Sequence, residues 1–358
     1  MTMTYSSTKK QSSVAAIGAV FVALGSGVPV AAATFTAAPL FDTVNSYSTT
    51  IAANGDAADI YFPVLSGSSN SINSLPIALM FQGALVDKSD YSSFARQVAS
   101  YGFVVVVPNH QRTLVGPTGA VTGFFPEQHQ LNDVLAQMGV ENSNSSSPIA
   151  GFVDTNKLGL LGHSFGGAVG LNAVQGICVP PLCLGNFTRP TQLKAAAFYG
   201  TSASDPQLGN AIPPINNGNI PTTLIAGTRD GVTEFATAQE TYNQIQNPPK
   251  AFVAVEGANH YSITNQDNLL REPNRPTLNQ AVATETIARW SAIFLRAHVL
   301  NDAEALNYLY NTGDALDENV SVISQTQSVP EPSSVLGVLA FGAFGASSML
   351  KRTRKKII

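Results

Sequence analysis

The sequence predicts an α/β fold in which a mostly parallel, doubly wound sheet is flanked by helices. Apolar runs of strand length alternate with segments whose apolar residues recur at helical spacing. The run 103–107 is β-branched and apolar on both faces, which is typical of a central strand covered on either side. In such a sheet the ligand site lies at the carboxyl ends of the strands, so reactive side chains should follow the apolar runs.

The predicted elements lie within one domain over 34–325, because no long linker, internal repeat or change of composition interrupts it. The predicted strands are 48–51 and 59–64 (an opening antiparallel pair), 76–81, 103–107, 158–161, 193–199, 222–226 and 252–255. The predicted helices are 91–101, 127–138, 166–174 and 284–299. The segments 110–126 and 201–221 are expected to border the pocket.

Composition narrows the class of protein. Hydrophobic residues make up 44% of the 358 residues, enough for a sizeable core. Charged residues make up only 12%, whereas about 25% is usual in soluble proteins. The net charge is −4, and no basic stripe occurs in the body of the chain. Nucleic-acid binding is therefore excluded, because it needs side chains that neutralise phosphates.

The N-terminal end carries a sorting pattern. Residues 1–33 hold Lys9 and Lys10, an apolar run over 14–30 and three alanines at 31–33. A basic lead, an apolar stretch and small residues before a cleavage site predict a secretory signal peptide. An uncleaved membrane anchor is the alternative, but the run is short and holds glycine and proline.

The C-terminal segment 326–358 holds Pro330-Glu331-Pro332, an apolar helix predicted over 333–350, and a basic cluster. The uncharged run is just long enough to span a bilayer, with the basic cluster on the cytoplasmic side. This order resembles a PEP-CTERM sorting tail, which implies export machinery and an exosortase as partners. A plain membrane anchor is the simpler alternative. We therefore expect an exported protein, in the periplasm, on the outer surface or in the extracellular matrix.

Ser164 is the predicted nucleophile. It stands in Gly162-His163-Ser164-Phe165-Gly166, between an apolar strand and a helix, and a Gly-x-Ser-x-Gly turn in that context is a nucleophile elbow. Glycine is needed on both sides because side chains there would collide in so tight a turn. The helix that follows places its positive dipole end near the developing oxyanion.

Two later loops supply a base and an acid in the chain order expected for this elbow. His260 follows the last apolar strand and is the predicted general base. Asp230 follows the strand before it and is predicted to orient His260, with Asp205 as the rival acid. His110 and His163 are candidates for the pocket lining. The remaining candidates are assigned to surface, packing or turn positions: His129, His298, Asp133 and Asp154.

The oxyanion hole needs two backbone N–H donors. Phe165 is predicted to supply one, and Ala84, in the loop Gln82-Gly83-Ala84, the other, with Gln82 as the alternative. Gln82 and Gly83 are also candidate pocket residues. The predicted mechanism needs no cofactor, and no metal, nucleotide or flavin motif occurs in the sequence.

The two cysteines of the chain, Cys178 and Cys183, lie five positions apart. An exported protein meets an oxidising compartment, so a local disulfide is predicted, with two unlinked thiols as the alternative.

These motifs resemble the α/β hydrolases, in particular the group of chlorophyllases, platelet-activating-factor acetylhydrolases and bacterial cutinase-like polyester hydrolases. The resemblance covers roughly residues 45–300. The runs that carry it are 81–84, 99–108, 153–167, 193–197 and the loops of Asp230 and His260. The resemblance implies an α/β-hydrolase fold and a Ser-His-Asp esterase whose oxyanion donors match Ala84 and Phe165.

Two positions depart from the polyester hydrolases within this group. Those enzymes usually have an aromatic residue at the position of Ala84 and a tryptophan near the strand before the acid. Here the single tryptophan, Trp290, lies in the last predicted helix. The form His163-Ser164-Phe165 is closer to the acetylhydrolases and chlorophyllases.

The motifs and the resemblance together predict an exported serine hydrolase that cleaves small-molecule, lipid or polymer carboxylic esters through an acyl-enzyme. One alternative keeps the triad but passes the acyl group to a glycan or lipid acceptor. The other is a non-catalytic surface protein built on this scaffold.

Overall fold

The computed structural model describes residues 37–65, 74–116, 119–205 and 208–326. The predicted signal peptide over 1–33 and the predicted apolar helix over 333–350 lie outside these ranges. Among the described residues, no helix is long and apolar enough to cross a membrane.

The strands and helices alternate as the sequence predicts. In chain order they are β1 (Val44–Ile51), β2 (Asp56–Pro63), β3 (Leu75–Phe81), α1 (Ser92–Ser100), β4 (Val104–Asn109), β5 (Gln111–Gly116), β6 (Gly119–Phe124), α2 (Gln130–Ser143), β7 (Val153–His163), α3 (Phe165–Gln175), β8 (Leu193–Tyr199), β9 (Thr222–Gly227), α4 (Phe235–Gln244), β10 (Lys250–Val255), α5 (Gln280–Val299), α6 (Ala303–Asn307), α7 (Gly313–Leu316) and β11 (Val320–Gln325). Short 3₁₀ turns cover Lys88–Tyr91 and His260–Ile263, and a π-helical turn covers Tyr308–Thr312.

Nine of the described strands form one sheet in the order β1-β2-β4-β3-β7-β8-β9-β10-β11. All neighbours from β4 to β10 are parallel. At the two ends of the sheet, β1 pairs antiparallel with β2, β2 with β4, and β11 with β10. The predicted fold class, a mostly parallel, doubly wound sheet of the α/β-hydrolase type, is confirmed.

Helices cover both faces of the sheet, which explains why its central strands are apolar throughout. Side chains alternate between the two faces along a strand, so Val105 and Val106 of β4 belong to different core clusters. Val105 shares its cluster with Phe94 of α1 and Phe294 of α5. Val106 shares the other with Val169 of α3, and residues of α2 and α4 belong to that second cluster too.

A two-stranded antiparallel hairpin, β5–β6, lies outside the central sheet between β4 and α2. The Leu85 N–H donates to the Phe124 C=O at the end of β6 (2.7 Å). Arg112 of β5 donates to the C=O groups of Phe125 (3.0 Å) and Pro181 (2.8 Å). The hairpin is therefore tied to the loop after β3 and to the loop after α3. The hairpin, α4 and β11 have no counterpart in the prediction.

The loop after α3 contains a disulfide between Cys178 and Cys183, whose Cα atoms are 5.1 Å apart. The described residues contain no free cysteine.

Candidate active site

Ser164 occupies the turn between β7 and α3 in a backbone conformation that L-residues rarely adopt, with φ 54° and ψ −122°. Glycine is required on both sides. A Cβ on Gly162 would lie 2.9 Å from the Gly166 C=O oxygen, and one on Gly166 would lie 2.4 Å from the Phe81 C=O oxygen. The turn therefore fits against the end of β3 only because both glycines lack a side chain.

The Ser164 backbone is fixed from the neighbouring strand. Its N–H donates to the Tyr199 C=O at the end of β8 (2.9 Å), and its C=O accepts from the Thr201 hydroxyl (2.9 Å). Gly200, between those two residues, lies against the predicted base and acid, since a Cβ there would be 3.1 Å from His260 Nδ1. The elbow, the base and the acid thus meet at the end of β8.

His260 and Asp230 are in direct contact. His260 Nδ1 lies 2.8 Å from Asp230 Oδ2 and 3.0 Å from Oδ1, and both side chains are almost fully buried. The Asp230 carboxylate also accepts from the N–H groups of Val232 (2.9 Å) and Thr233 (2.7 Å). Because the ring nitrogen that faces a carboxylate oxygen donates to it, Nδ1 carries the ring proton and Nε2 is left as an acceptor. The rival Asp205 instead forms an isolated backbone bridge with Ala211.

Glu272 is a buried carboxylate beside this pair that the sequence did not reveal. Its Oε2 accepts from the His260 N–H (2.9 Å). Its Oε1 accepts from the N–H groups of Gly231 (3.2 Å) and Asn274 (2.8 Å). Glu272 therefore links the backbone of the base loop to that of the acid loop. It stands in a polar loop with no motif around it, so only the contacts identify it.

The loop after β3 is held by hydrogen bonds at successive residues. The Gly83 N–H donates to the Tyr91 hydroxyl (2.8 Å), and the Gly83 C=O accepts from the Val86 N–H (3.2 Å). The Ala84 C=O accepts from Arg271 Nη1 (2.9 Å). Leu85, at φ 59°, has a left-handed backbone. The hydrogen bonds of the described residues leave the N–H groups of Ala84 and Phe165 without an acceptor.

Gln82 is the first residue of this loop and is fully buried. Neither its amide oxygen nor its amide nitrogen has a hydrogen-bond partner among the described residues. Its side chain is therefore inside the protein and does not line an open pocket.

His163 is likewise fully buried, so the expectation that it lines the pocket is not met. Its Nδ1 contacts the Tyr91 hydroxyl (2.8 Å), and its Nε2 contacts the His260 C=O (3.0 Å). The ring centroids of His163 and His260 are 4.7 Å apart. Burial, and secondly the charge of His260, hold the pKa of His163 well below its ordinary value.

The other candidate histidines have partners of their own. His110 contacts the Asp56 carboxylate (3.0 Å) on β2, and His298 contacts the Tyr310 hydroxyl (2.8 Å). His129 bonds Glu127 (2.8 Å). The acids Asp133 and Asp154 accept from Asn54 and from the Asn156 backbone, respectively.

One group of described side chains has the composition of a metal site, Glu127, His129 and Cys183, whose ligand atoms lie within 4.8 Å of one another. The Cys183 sulfur is bonded to Cys178, so it offers no thiolate. The Glu127 carboxylate bonds His129 and the Leu184 N–H. The three side chains are therefore better explained as a structural contact between the start of α2 and the disulfide loop than as the ligands of a metal ion.

A cavity of about 290 Å³ lies between the loop after β3 and the loop after His260. Leu85, Leu269 and Leu270 form its apolar part and are exposed. Tyr261, the residue after the predicted base, also lines it. The cavity is thus lined by the residues that directly follow the predicted oxyanion donor and the predicted base in the chain, while Ala84, His260 and Ser164 are not among its lining residues.

Comparison with known proteins shows similarity to a PET hydrolase-like family and to bacterial cutinases. The model of a family described as PET hydrolase-like matches residues 23–178. Cutinase 1 of Thermobifida cellulosilytica is 24% identical over 252 residues, which is 70% of this chain and 76% of the relative. Cutinase est2 of Thermobifida alba and a cutinase of Thermobifida fusca are also 24% identical over 252 residues, with 66% of each relative covered.

The sheet and these relatives define the class: the chain has an α/β-hydrolase fold, and its relatives are carboxylic ester hydrolases. The predicted enzyme class is thereby confirmed. Within that class the chain is similar to the PET hydrolase-like proteins and to the cutinases, one of the three groups in the predicted resemblance.

Proposed function

We propose that the protein is an exported serine esterase in which Ser164 is the nucleophile, His260 the general base and Asp230 the acid that orients it. The observation that carries the proposal is the buried contact between His260 Nδ1 and the Asp230 carboxylate (2.8 Å). Ser164 has the strained backbone of an elbow, and its N–H is bonded to the end of β8, where Gly200 lies against the His260–Asp230 pair. Ser164, Asp230 and His260 also follow one another in the chain order of α/β hydrolases.

In the proposed reaction His260 Nε2 takes the proton of Ser164 Oγ as this oxygen attacks the ester carbonyl carbon. The Asp230 carboxylate stabilises the resulting imidazolium. The N–H groups of Ala84 and Phe165 hold the oxyanion of the tetrahedral intermediate. Its collapse breaks the bond to the alcohol oxygen, which takes the proton from His260. Water then attacks the acyl-enzyme by the same sequence and releases the carboxylic acid.

The proposed ester substrates are of small-molecule, lipid or polymer type. The exposed leucines of the cavity, of which Leu85 directly follows Ala84, offer an apolar surface close to the proposed oxyanion donor. The printed names of the relatives, cutinase and PET hydrolase-like, support polymer esters. The alanine at position 84 differs from the aromatic residue that polyester hydrolases usually carry there. A hydrolysis profile across short-chain, long-chain, aromatic and polymeric esters would identify the class.

Export is proposed from the sequence of the two ends, a signal peptide over 1–33 and a PEP-CTERM-like tail over 326–358. Expression of the full chain in a host with an exosortase, followed by mass spectrometry of both termini, tests both cleavages. Full-length chain retained in the cytoplasm would contradict the proposal.

The catalytic proposal is tested with a fluorophosphonate probe and a p-nitrophenyl ester. We expect the wild-type protein to be labelled and active, and Ser164→Ala to be neither. Asp230→Asn should lower kcat by roughly 10³- to 10⁴-fold, because the imidazole then takes the wrong tautomer, whereas Asp205→Asn should leave kcat unchanged. Equal labelling of wild type and Ser164→Ala, or a larger loss in Asp205→Asn, would overturn the assignment. Labelling of Ser164 without ester hydrolysis would favour acyl transfer.

A further inference from the structure

Three hydrogen bonds join the predicted oxyanion loop to the backbone of the predicted base. The Gly83 N–H donates to the Tyr91 hydroxyl (2.8 Å). That hydroxyl contacts His163 Nδ1 (2.8 Å), and His163 Nε2 contacts the His260 C=O (3.0 Å). The side chains of Tyr91 and His163 are fully buried. We call this series of hydrogen bonds the Tyr91–His163 bridge.

The direction of each proton in the bridge follows from its end groups. The Gly83 N–H can only donate and the His260 C=O can only accept. The Tyr91 hydroxyl accepts from Gly83, so its single proton goes to His163 Nδ1. His163 Nε2 must then carry the ring proton in order to donate to His260. Every donor in the bridge then has an acceptor, and His163 is in the neutral Nε2–H tautomer.

The ionisation preferences of the two side chains agree with this assignment. Burial raises the pKa of the Tyr91 hydroxyl far above its ordinary value. Burial and the neighbouring charge of His260 lower the pKa of His163 well below its ordinary value. Both groups remain neutral throughout the ordinary pH range. The bridge therefore fixes positions and transfers no proton.

Two contacts of Gly83 orient the loop that bears the predicted oxyanion donor. The bridge holds the peptide before Gly83, and the Val86 N–H holds the peptide after it, to which the Ala84 N–H belongs. Tyr91 fixes the N–H of Gly83, and the Val86 N–H fixes its C=O (3.2 Å). In a trans peptide the N–H points opposite to the C=O, so the Ala84 N–H is directed away from Val86. A Cβ on Gly83 would lie 2.8 Å from His163 Nδ1, so the loop contacts the bridge directly.

We propose that Tyr91 and His163 are positioning residues for the ester hydrolysis, holding the Ala84 N–H and the His260 backbone in fixed relation without touching the substrate. This inference rests on the proposed function. It gives a role to His163, the variable residue of the Gly-x-Ser-x-Gly turn. It also gives a positioning role to Tyr91, for which the sequence predicts only a place at the start of a helix.

The first test is Tyr91→Phe, which keeps the ring but removes the hydroxyl between Gly83 and His163. We expect kcat to fall about 10- to 100-fold, because a small misplacement of a catalytic group has an effect of this size. KM should change by less than about threefold, since the lost orientation matters in the transition state and not in substrate binding. The matched control is Tyr101→Phe, because the hydroxyl of buried Tyr101 donates to the Ala37 C=O, outside the bridge. Its kcat should be unchanged.

Affinity for a transition-state analogue separates positioning from general loss of structure. A boronic acid that forms a tetrahedral adduct with Ser164 should bind Tyr91→Phe more weakly by the same factor as kcat falls. The affinity for the carboxylate product should be unchanged. Equal weakening of both ligands, or a change in KM alone, would overturn the proposal.

A spectroscopic test needs no variant. In ¹⁵N-histidine-labelled wild-type protein, the His163 resonances should show an unprotonated Nδ1 and a protonated Nε2 from pH 5 to 8. A His163 that titrates in this range, or that carries its proton on Nδ1, would overturn the bridge. If the wild-type enzyme neither hydrolyses esters nor is labelled at Ser164, the proposed function fails. If it is active and Tyr91→Phe has full kcat, only the bridge fails.

Discussion

The buried carboxylate of Glu272 accepts a hydrogen bond from the backbone N–H of His260 (2.9 Å). The same carboxylate accepts from the Gly231 N–H, one residue after the predicted acid. Asp230 therefore holds the imidazole of His260, while Glu272 holds its backbone. The relative position of base and acid depends on both carboxylates.

Substitution of Glu272 by glutamine should weaken both stability and activity. The amide keeps one acceptor oxygen but turns an NH₂ group toward a backbone N–H, which leaves a buried donor unpaired. We expect a loss of about 1–3 kcal/mol in the free energy of unfolding and a kcat lower by about tenfold or more. Urea unfolding and ester hydrolysis measure the two effects. As a control, Glu318→Gln at an exposed position should change neither quantity. A Glu272→Gln protein with unaltered stability and kcat would show that the Glu272 carboxylate does not support the base and acid loops.

Replacement of Gly166 by alanine should disrupt the elbow. The new Cβ would lie 2.4 Å from the Phe81 C=O oxygen and 2.5 Å from that of Gln82, and neither backbone oxygen can move without displacing the oxyanion loop. We expect a destabilisation of about 3 kcal/mol or more, at the upper end of overpacking effects, together with loss of ester hydrolysis.

Gly139 offers the matched control for that substitution. It lies within α2, and a Cβ there meets no atom within 4 Å. Gly139→Ala should raise the free energy of unfolding by about 0.5–1 kcal/mol, because alanine favours a helix interior over glycine. Thermal unfolding of the two variants side by side gives the comparison. A Gly166→Ala protein as stable and active as wild type would show that the elbow is less tightly packed than described.

Gln82→Met should stabilise the protein. The buried amide of Gln82 has no hydrogen-bond partner among the described residues, and an unpaired buried polar group costs about 1–3 kcal/mol. Methionine has a similar shape and no strong polar group, and it preserves the backbone of the oxyanion loop. The control is Gln137→Met. The Gln137 amide accepts from the Ala52 N–H and donates to Glu141, so its loss should destabilise the protein. Chemical unfolding that shows the reverse order would contradict the prediction.

His298 should make the protein less stable in mild acid. Burial lowers the pKa of His298 to about 4, below the value of about 6.5 in an unfolded chain. Between these values the unfolded state binds more protons, so stability falls as the pH drops from about 6.5 toward 4. The contribution approaches about 3 kcal/mol at the acid end of this range. In His298→Leu the difference in unfolding free energy between pH 7 and pH 4.5 should shrink by about 2 kcal/mol; an unchanged difference would contradict the assignment.

The sequence was sufficient to predict the central sheet because burial on both faces leaves a clear pattern. Strands such as β4 and β8 read as continuous apolar runs, and their predicted bounds differ little from those in the structure. The hairpin β5–β6 gave no such pattern, since its residues are exposed or half-buried and alternate without an apolar face. Strand β11 pairs only at the edge of the sheet, and its short run alternates buried or half-buried residues with the exposed Ser321, Ile323 and Gln325, so it lacks the continuous apolar pattern.

Chemistry and chain order were enough to predict the candidate catalytic residues. They were not enough to predict the residues that hold these in place. His260 and Asp230 follow strands of one parallel sheet, so their proximity could be anticipated from the fold. Tyr91 lies 72 positions from His163, and Glu272 stands in an irregular loop. Residues of this kind are identified only by their contacts in the folded protein, because no local sequence pattern predicts them.

The hairpin β5–β6 stands apart from the central sheet that positions the proposed catalytic residues. It is inserted between β4 and α2, and the contacts that tie it to the body include the hydrogen bonds of Arg112 and one backbone hydrogen bond from Leu85. It takes no part in the central sheet. Its length and side chains can therefore vary between descendants of this protein without moving Ser164. Shortening or lengthening the tip of the hairpin should therefore leave the elbow unchanged.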